Sequence, residues 1–276
     1  MNEKMTAYKI FRPILGTIYK LWYNPKVIGS ENIPKTGRVL VVGNHVHIMD
    51  QCNIIVSTKR NLHYMAKKEY FDDKKVAWFF KISGCIPVDR SIKDTSATEK
   101  ALEVLEKDHA LGLFPEGTRN ALKEEKIKEL YEKYMSEKID YDSFYKKVKG
   151  QKTSFINYME ELVNSGFISQ EEFIDNIYDV DSYLRLMIRD HKLTEDEYFS
   201  HYLLPLKFGA VSMAHKTDSY IVPYAITGDY KFRSKNLVIR IGEPFKVEDD
   251  DLEKYNMKLD SEIKRLVAEN YKNSGK

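Results

Sequence analysis

Three stretches carry residue types that could do chemistry together. VVGNHVHIMD, residues 41–50, sets His45, His47 and Asp50 directly behind an apolar run. SGCIPVDR ends on Asp89 and Arg90, and LGLFPEGTRN carries Glu116, Gly117, Thr118 and Arg119. An imidazole partnered by a carboxylate is the base half of a Ser-His-Asp arrangement, so without a serine the nucleophile should come from the substrate. A hydroxyl fits, because imidazole titrates near neutrality and can take its proton. Asp50 would hold the tautomer and stabilise the imidazolium. Arginines at strand ends suit a phosphate, which guanidinium binds through two parallel bonds.

Spacing alone does not single out His45. About half of one His–Asp pair five residues apart arises by chance in a chain of this composition, and His191/Asp196 repeats the spacing in an acidic segment with no apolar run before it. Context separates the two. RVLVVGN reads as a strand buried on both faces, which delivers His45 to the carboxyl edge of a sheet. Five residues along a continuous helix would turn the two side chains apart, so His45 is expected in a turn and Asp50 on the following helix.

The elements that must position these residues alternate. A short strand from Val27, RVLVVGN, NLHYMAK, a helix over DDKKVAWFFKISG stopped by Gly84, CIPVDR, a helix capped by Asp94 and burying Ala101, Leu102, Val104 and Leu105, and ALGLFP lead up to Arg119. LPLKFGAVSMAHK as a helix, SYIVPYAI as a strand, NLVIRIGEPFKV as strand, turn and strand, and a final helix over residues 250–273 follow residue 203. Alternation of this kind predicts an α/β fold, a mixed and largely parallel sheet flanked by helices, with ligands at the carboxyl ends of the strands.

Residues 120–203 have a different texture, long charged helices with no strand-like run. KEEKIKELYEKYMSEK carries Ile127, Leu130, Tyr131, Tyr134 and Met135 on one face, and IDYDSFY, ISQEEFI and LTEDEYF each read as a helix start. Ser169/Glu172 and Thr194/Glu197 have capping-box spacing. Residues 153–203 hold three Lys/Arg and eleven Asp/Glu, a composition that suits a solvated helical surface.

Net charge is +2 over 276 residues, which offers nothing to a nucleic acid, yet residues 1–38 carry seven Lys/Arg against Glu3 and Glu31. Within that basic front, AYKIFRPILGTIYKLWY places Ile10, Ile14, Ile18, Leu21 and Trp22 at helical spacing, with Lys9, Arg12 and Lys20 elsewhere. Such a helix either packs its stripe on the core or lies on anionic lipid with Trp22 and Tyr23 at headgroup level; Pro13 and Gly16 weaken it. Cys52 and Cys85 suggest neither a disulfide framework nor a metal site, and a reducing cytoplasm fits. No signal peptide and no membrane span is expected.

In four ordered blocks the sequence resembles the glycerolipid acyltransferases of the 1-acylglycerol-3-phosphate type. NHVHIMD matches NHxxxxD, GCIPVDR the second block, FPEGTR the third and IVPYAI the fourth, so the resemblance covers residues 27–119 and 204 to about 247. It implies that His45 is the general base and Asp50 its partner. It implies that Arg90, Glu116, Gly117, Thr118 and Arg119 contact a phosphorylated acceptor, and that Pro223 borders the acyl or thioester site. The acyl donor would be acyl-CoA or acyl carrier protein, a cosubstrate, with no other cofactor and no metal. The implied reaction esterifies lysophosphatidate to phosphatidate at the cytoplasmic face of the cell membrane, in a peripheral or monotopic enzyme. Glycerol 3-phosphate or another lysolipid as acceptor, and an inactive lipid-binding homologue, are the alternatives.

Two departures stand out. His47 occupies a position where many members have serine, which leaves its role open, and 84 residues separate Arg119 from Leu204 where the family has a much shorter connection. The expected organisation is therefore a membrane-associating helix over residues 1–26, an α/β domain over 27–119 and 204–276, and a helical insertion over 120–203 at the rim of the site.

Overall fold

A computed structural model describes residues 5–89, 91–92, 94–121, 124–151 and 153–272. The first part runs α1 (Thr6–Tyr23), β1 (Lys26–Ile28), β2 (Val39–Gly43), α2 (Asp50–Ser57), β3 (Leu62–Lys67), α3 (Glu69–Asp72), α4 (Ala77–Ile82), β4 (Ile86–Val88), α5 (Thr95–Glu106) and β5 (Ala110–Leu113). The helices α6 (Glu124–Met135), α7 (Tyr141–Lys149), α8 (Ser154–Asn164), α9 (Gln170–Asp175), α10 (Val180–Arg189) and α11 (Glu195–Ser200) come next. The chain closes with α12 (Gly209–Thr217), β6 (Tyr220–Thr227), β7 (Val238–Ile241) and α13 (Leu252–Lys272). Two compact units result: Met1–Gly117 with Leu206–Lys276, and Thr118–Pro205.

In the first unit a seven-stranded sheet has the order β1-β7-β6-β2-β5-β3-β4. Every neighbouring pair is parallel except β6 with β7, as the alternation of strands and helices predicts. β2 sits at the centre, all five of its residues buried. Fully burying one Val or Leu side chain stabilises by about 1.5–3 kcal/mol, so an unbroken apolar run has no better place than the middle. Val41, Ile54, Tyr224, Ile226 and Ile239 fill the core on one face. Because β2, β4, β5 and β6 run the same way, their carboxyl ends open onto one edge.

Several local expectations change. The helix expected over DDKKVAWFFKISG begins only at Ala77, because the Asp73 carboxylate accepts the Lys75 N–H at 2.9 Å and holds that turn out of the helix. In NLVIRIGEPFKV the second strand shrinks to a single bridge, Ile221 with Phe245. Pro244, which has no N–H, precedes that bridge. On α5, capped by Asp94 through the Ala97 N–H at 3.0 Å, the buried positions are Ala97, Ala101 and Leu105, while Leu102 and Val104 flank them half-buried.

α1 is continuous through Pro13 and Gly16. Gly16 lies where the helix comes against α2: a Cβ there would stand 3.3 Å from Val56 Cγ1. What α1 buries is not its aliphatic stripe. Tyr8 and Tyr19 are buried, and Arg12 donates to the carbonyls of Lys59 and Arg60 and to Asn61 Oδ1. Ile10, Ile14, Ile18, Leu21 and Trp22 are all at least half exposed, Leu21 by 71%. Among the described residues no helix is long and apolar enough to cross a membrane.

The second unit, by itself, is a helical cluster around Ile127, Phe144, Ile156, Met159, Phe173 and Leu184. Asp140 caps α7 through the Ser143 N–H, and Ser169/Glu172 and Thr194/Glu197 form complete capping boxes. Met135, expected on the buried face of α6, is 61% exposed at the end of its helix. Asn120 ties the unit's entry to α8 and α11, its amide donating to Ser154 Oγ at 2.8 Å and the Tyr202 carbonyl at 2.9 Å.

Candidate active site

β2 ends at Gly43, and the next residue extends the sheet with its side chain. The buried Asn44 amide donates to the Ile226 carbonyl at 2.9 Å and accepts the Ile226 N–H at 2.8 Å. Asn44 therefore pairs with β6 as backbone would, and the loop that follows leaves the sheet from a fixed point.

That loop delivers His45, 17% exposed at the side chain, to Asp50 at the first residue of α2. His45 Nδ1 lies 2.8 Å from Asp50 Oδ2. The same oxygen accepts the N–H groups of Val46 at 2.6 Å and His47 at 2.8 Å, and Oδ1 accepts the Tyr230 hydroxyl. A carboxylate with no exposed side-chain surface is costly unless its lone pairs are met. Four donors and a helix N-terminus meet them here. With Nδ1 engaged, proton acceptance falls to Nε2. The ring is held flat against Phe114, 4.0 Å between centroids at 17°. No Ser or Cys among the described residues hydrogen-bonds to His45.

Glu116 follows β5 in the Phe114–Gly117 turn and is 4% exposed. Its Oε1 accepts the His45 backbone N–H at 2.8 Å. The resemblance implies acceptor contact for Glu116; in the structure its Oε1 also holds the residue that bears the base. Gly117 has φ +72°, and a Cβ there would meet Lys207 Nζ at 2.5 Å. A cation thus stands against the loop, tied to it also by the Lys207 N–H on the Pro115 carbonyl at 2.9 Å. Lys207 escaped sequence reasoning because it lies 90 residues further on.

Thr118 and Arg119 are exposed and open the second unit. Arg90 lies outside the described residues, although the turn before it is well tied: Asp94 accepts the Asp89 N–H at 2.9 Å. That bond, with those from Ala97 and Ser96, holds the Asp94 carboxyl down at about 2. Pro223 is buried within β6, in register with Val42, on the face opposite the one that carries Tyr224. A Cβ on Gly242 would lie 3.1 Å from both Pro223 Cγ and Leu266 Cδ1. The proline therefore packs toward α13. His191 and Asp196, the chance copy, are both exposed.

His47, left open by the sequence, stacks on Tyr230 at 4.1 Å and 21°, and its Nδ1 accepts the Met49 N–H at 3.2 Å. Tyr230 was missed altogether. It lies in the loop shortly after β6, so its one sequence signal was a place near a strand end. Burial, reinforced by the Asp50 charge, pushes its phenol well above the ordinary range and keeps it a donor. Among the described residues no three His, Cys, Asp or Glu side chains gather as a metal site.

Fold and site define a class: an α/β protein whose parallel strands deliver a carboxylate-oriented histidine, with a lysine beside a glycine turn, to one sheet edge. The model of the Acyltransferase family matches residues 24–227, and the chain belongs to that family. A 1-acyl-sn-glycerol-3-phosphate acyltransferase of Borreliella burgdorferi is 38% identical over 34% of this chain and 38% of its own. One of Bacillus subtilis is 31% identical over 41% of this chain and 58% of its own. The chain thus matches less than two thirds of the length of these curated relatives. In fold it is similar to the crystal structure of the 1-acyl-sn-glycerophosphate (LPA) acyltransferase PlsC of Thermotoga maritima, with a TM-score of 0.53, 19% identity, and coverage of 98% of this chain and 83% of that one.

Proposed function

We propose that the chain transfers an acyl group from a thioester to the free hydroxyl of 1-acylglycerol 3-phosphate, forming phosphatidate. The observation that carries the reading is the His45 Nδ1 to Asp50 Oδ2 contact of 2.8 Å. With Nδ1 held, Nε2 takes the hydroxyl proton as the oxygen attacks the thioester carbonyl. The C–O bond forms, the C–S bond breaks, and the imidazolium returns its proton to the departing thiolate. Asp50 stabilises the imidazolium between these events, a general-base contribution of about 10²–10⁴ in rate. No acyl-enzyme and no cofactor beyond the acyl-CoA or acyl carrier protein donor is needed. Lys207, beside the Gly117 turn, supplies positive charge for the acceptor's phosphate, the role that the resemblance implies for Arg90 and Arg119.

The same reading places the enzyme at the cytoplasmic membrane face as a peripheral protein, supported by the exposed Ile10, Ile14, Ile18, Leu21 and Trp22 of α1. Lys9 and Lys20 are the basic residues of α1 that remain exposed for anionic lipid, since Arg12 is spent on backbone carbonyls.

The test is purified protein with radiolabelled acyl-CoA or acyl carrier protein against lysophosphatidate, other lysolipids and glycerol 3-phosphate. Labelled phosphatidate, lost in His45→Ala, is expected. Transfer to glycerol 3-phosphate alone would reassign the acceptor, and no transfer to any hydroxyl would reduce the chain to a lipid-binding homologue.

A further inference from the structure

Behind Asp50 a line of hydrogen bonds leads away from the site to α1. The Tyr19 hydroxyl donates to Asn53 Oδ1 at 2.7 Å, Asn53 Nδ2 donates to the Tyr230 hydroxyl at 2.6 Å, and Tyr230 donates to Asp50 Oδ1. Every donor points the same way, toward the carboxylate that His45 also faces. Tyr19 and Asn53 are buried, Asn53 with no exposed surface. Bonds aligned in one direction polarise one another, and in a dry environment an interrupted line leaves a polar atom unmet.

The loop bearing Tyr230 is also fastened to the end of α1. Tyr23 meets the Tyr230 ring edge-on at 5.6 Å, Trp22 meets Phe232 at 4.9 Å, and the Asn24 amide donates to the Ser234 carbonyl at 3.3 Å. His47 covers a face of the Tyr230 ring. The Tyr230 hydroxyl is therefore placed by α1 and by the loop after β2 together.

We propose that Tyr230, Asn53 and Tyr19 are positioning residues for His45, so that the seating of α1 on the α/β unit orients the base through Asp50. The proposal rests on the acyl-transfer reading above. The helix that presents an apolar stripe outward carries on its inner side the far end of the line that orients the histidine. Three of the four donors to Asp50 come from His45, Val46 and His47, all within the loop, and meet Oδ2. Among the described residues Tyr230 alone ties Oδ1 to the rest of the protein. Without it Oδ1 loses this donor, and the orientation of the carboxylate, and of the imidazole on it, is left to the loop's own bonds to Oδ2.

The test compares Tyr230→Phe, Tyr19→Phe and the double variant in the full chain. Phenylalanine keeps both rings and their stacking and removes only the hydroxyls, and thermal unfolding checks that each variant is folded. Expected are a kcat about tenfold lower for Tyr230→Phe and about threefold lower for Tyr19→Phe, with KM for lysophosphatidate within about twofold. The double variant should be no slower than Tyr230→Phe, because the line is already cut. The His45 Nδ1–H proton resonance, assigned by its loss in His45→Ala, should shift in Tyr230→Phe and, less, in Tyr19→Phe. Unmoved resonance in both variants, or losses that multiply in the double variant, overturns the proposal. Absence of transfer by the wild-type chain overturns the acyl-transfer reading instead, while the resonance still decides whether the line reaches His45.

Discussion

Asn44 and Ile226 face each other as two strands would, with the Asn44 amide donating at 2.9 Å and accepting at 2.8 Å on the backbone of a residue 182 positions away. Replacing Asn44 by Ala leaves the buried Ile226 N–H and C=O without partners. Unmet buried groups cost about 1–3 kcal/mol each. Asn44→Ala should therefore lower the urea midpoint and kcat together. Asn44→Asp should do no better, since a carboxylate repels the Ile226 carbonyl. Unchanged unfolding in both variants would show that the loop is held elsewhere.

Orientation of the imidazole by Asp50 has its own signature. His45→Ala should lose about 10²–10⁴-fold in kcat, and Asp50→Asn nearly as much, because an amide turned toward Val46 and His47 presents a donor to donors. His47→Ala should retain most activity, falling only a few-fold, since the His47 ring stacks on Tyr230 and accepts the Met49 N–H, while its bond to Asp50 comes from the backbone N–H that alanine keeps. Steady-state kinetics on the three variants would expose an error if His47→Ala were as damaged as His45→Ala.

Glu116 separates positioning from substrate contact. Its Oε1 accepts the His45 N–H, and the side-chain oxygen of glutamine can do the same. Glu116→Gln should keep kcat within about threefold and Glu116→Ala should lower it about tenfold. KM for the acceptor should be nearly unchanged in both. A large rise in KM with kcat intact would instead assign Glu116 the acceptor-contact role that the resemblance implies.

The outward stripe of α1 predicts a separable membrane phenotype. Ile14→Glu with Leu21→Glu should weaken flotation with vesicles containing anionic lipid by about tenfold or more, since each side chain forfeits apolar burial and adds a charge. Unfolding should be unaffected, because α1 docks through Tyr8, Arg12 and Tyr19. Unaltered flotation would remove the case for membrane contact through α1.

Alkaline pH should destabilise the protein. Burial pushes the Cys52 and Cys85 thiols up to about 11 from an ordinary 9.0. Burial also raises the Tyr64, Tyr224 and Tyr230 phenols well above their ordinary 10.0. Above the ordinary values the folded chain binds more protons than the unfolded one, so stability falls as pH rises. This contribution is complete below about pH 8.5 and is lost through pH 9–11 by the thiols and beyond that by the phenols. Calorimetric Tm should be level from pH 7 to 8.5 and then fall, less steeply in a Cys52→Ala/Cys85→Ala variant. A Tm level up to pH 11 would contradict it.

Much of the architecture was legible because it depends on local pattern. The apolar run of β2, the Asp94 cap and the two capping boxes each act within a few residues, so the α/β alternation and the helical starts at 140, 169 and 194 could be read directly. His45 and Asp50 were legible as a pair because the loop joining them is short and begins at a strand end. Where an amphipathic stripe faces was not legible: α1 has the periodicity of a core helix, yet its buried contacts come from Tyr8, Arg12 and Tyr19. Pro223 shares a block with residues at the sheet edge but is carried by the strand alternation to the α13 face. Tyr230, Asn53 and Lys207 take their places from contacts across 180, 177 and 90 residues. Sequence alone determined the strand that presents His45 and the residue that faces it; tertiary structure decided what holds that pair, because hydrogen bonds between distant segments exist only once the sheet has brought its strand ends together.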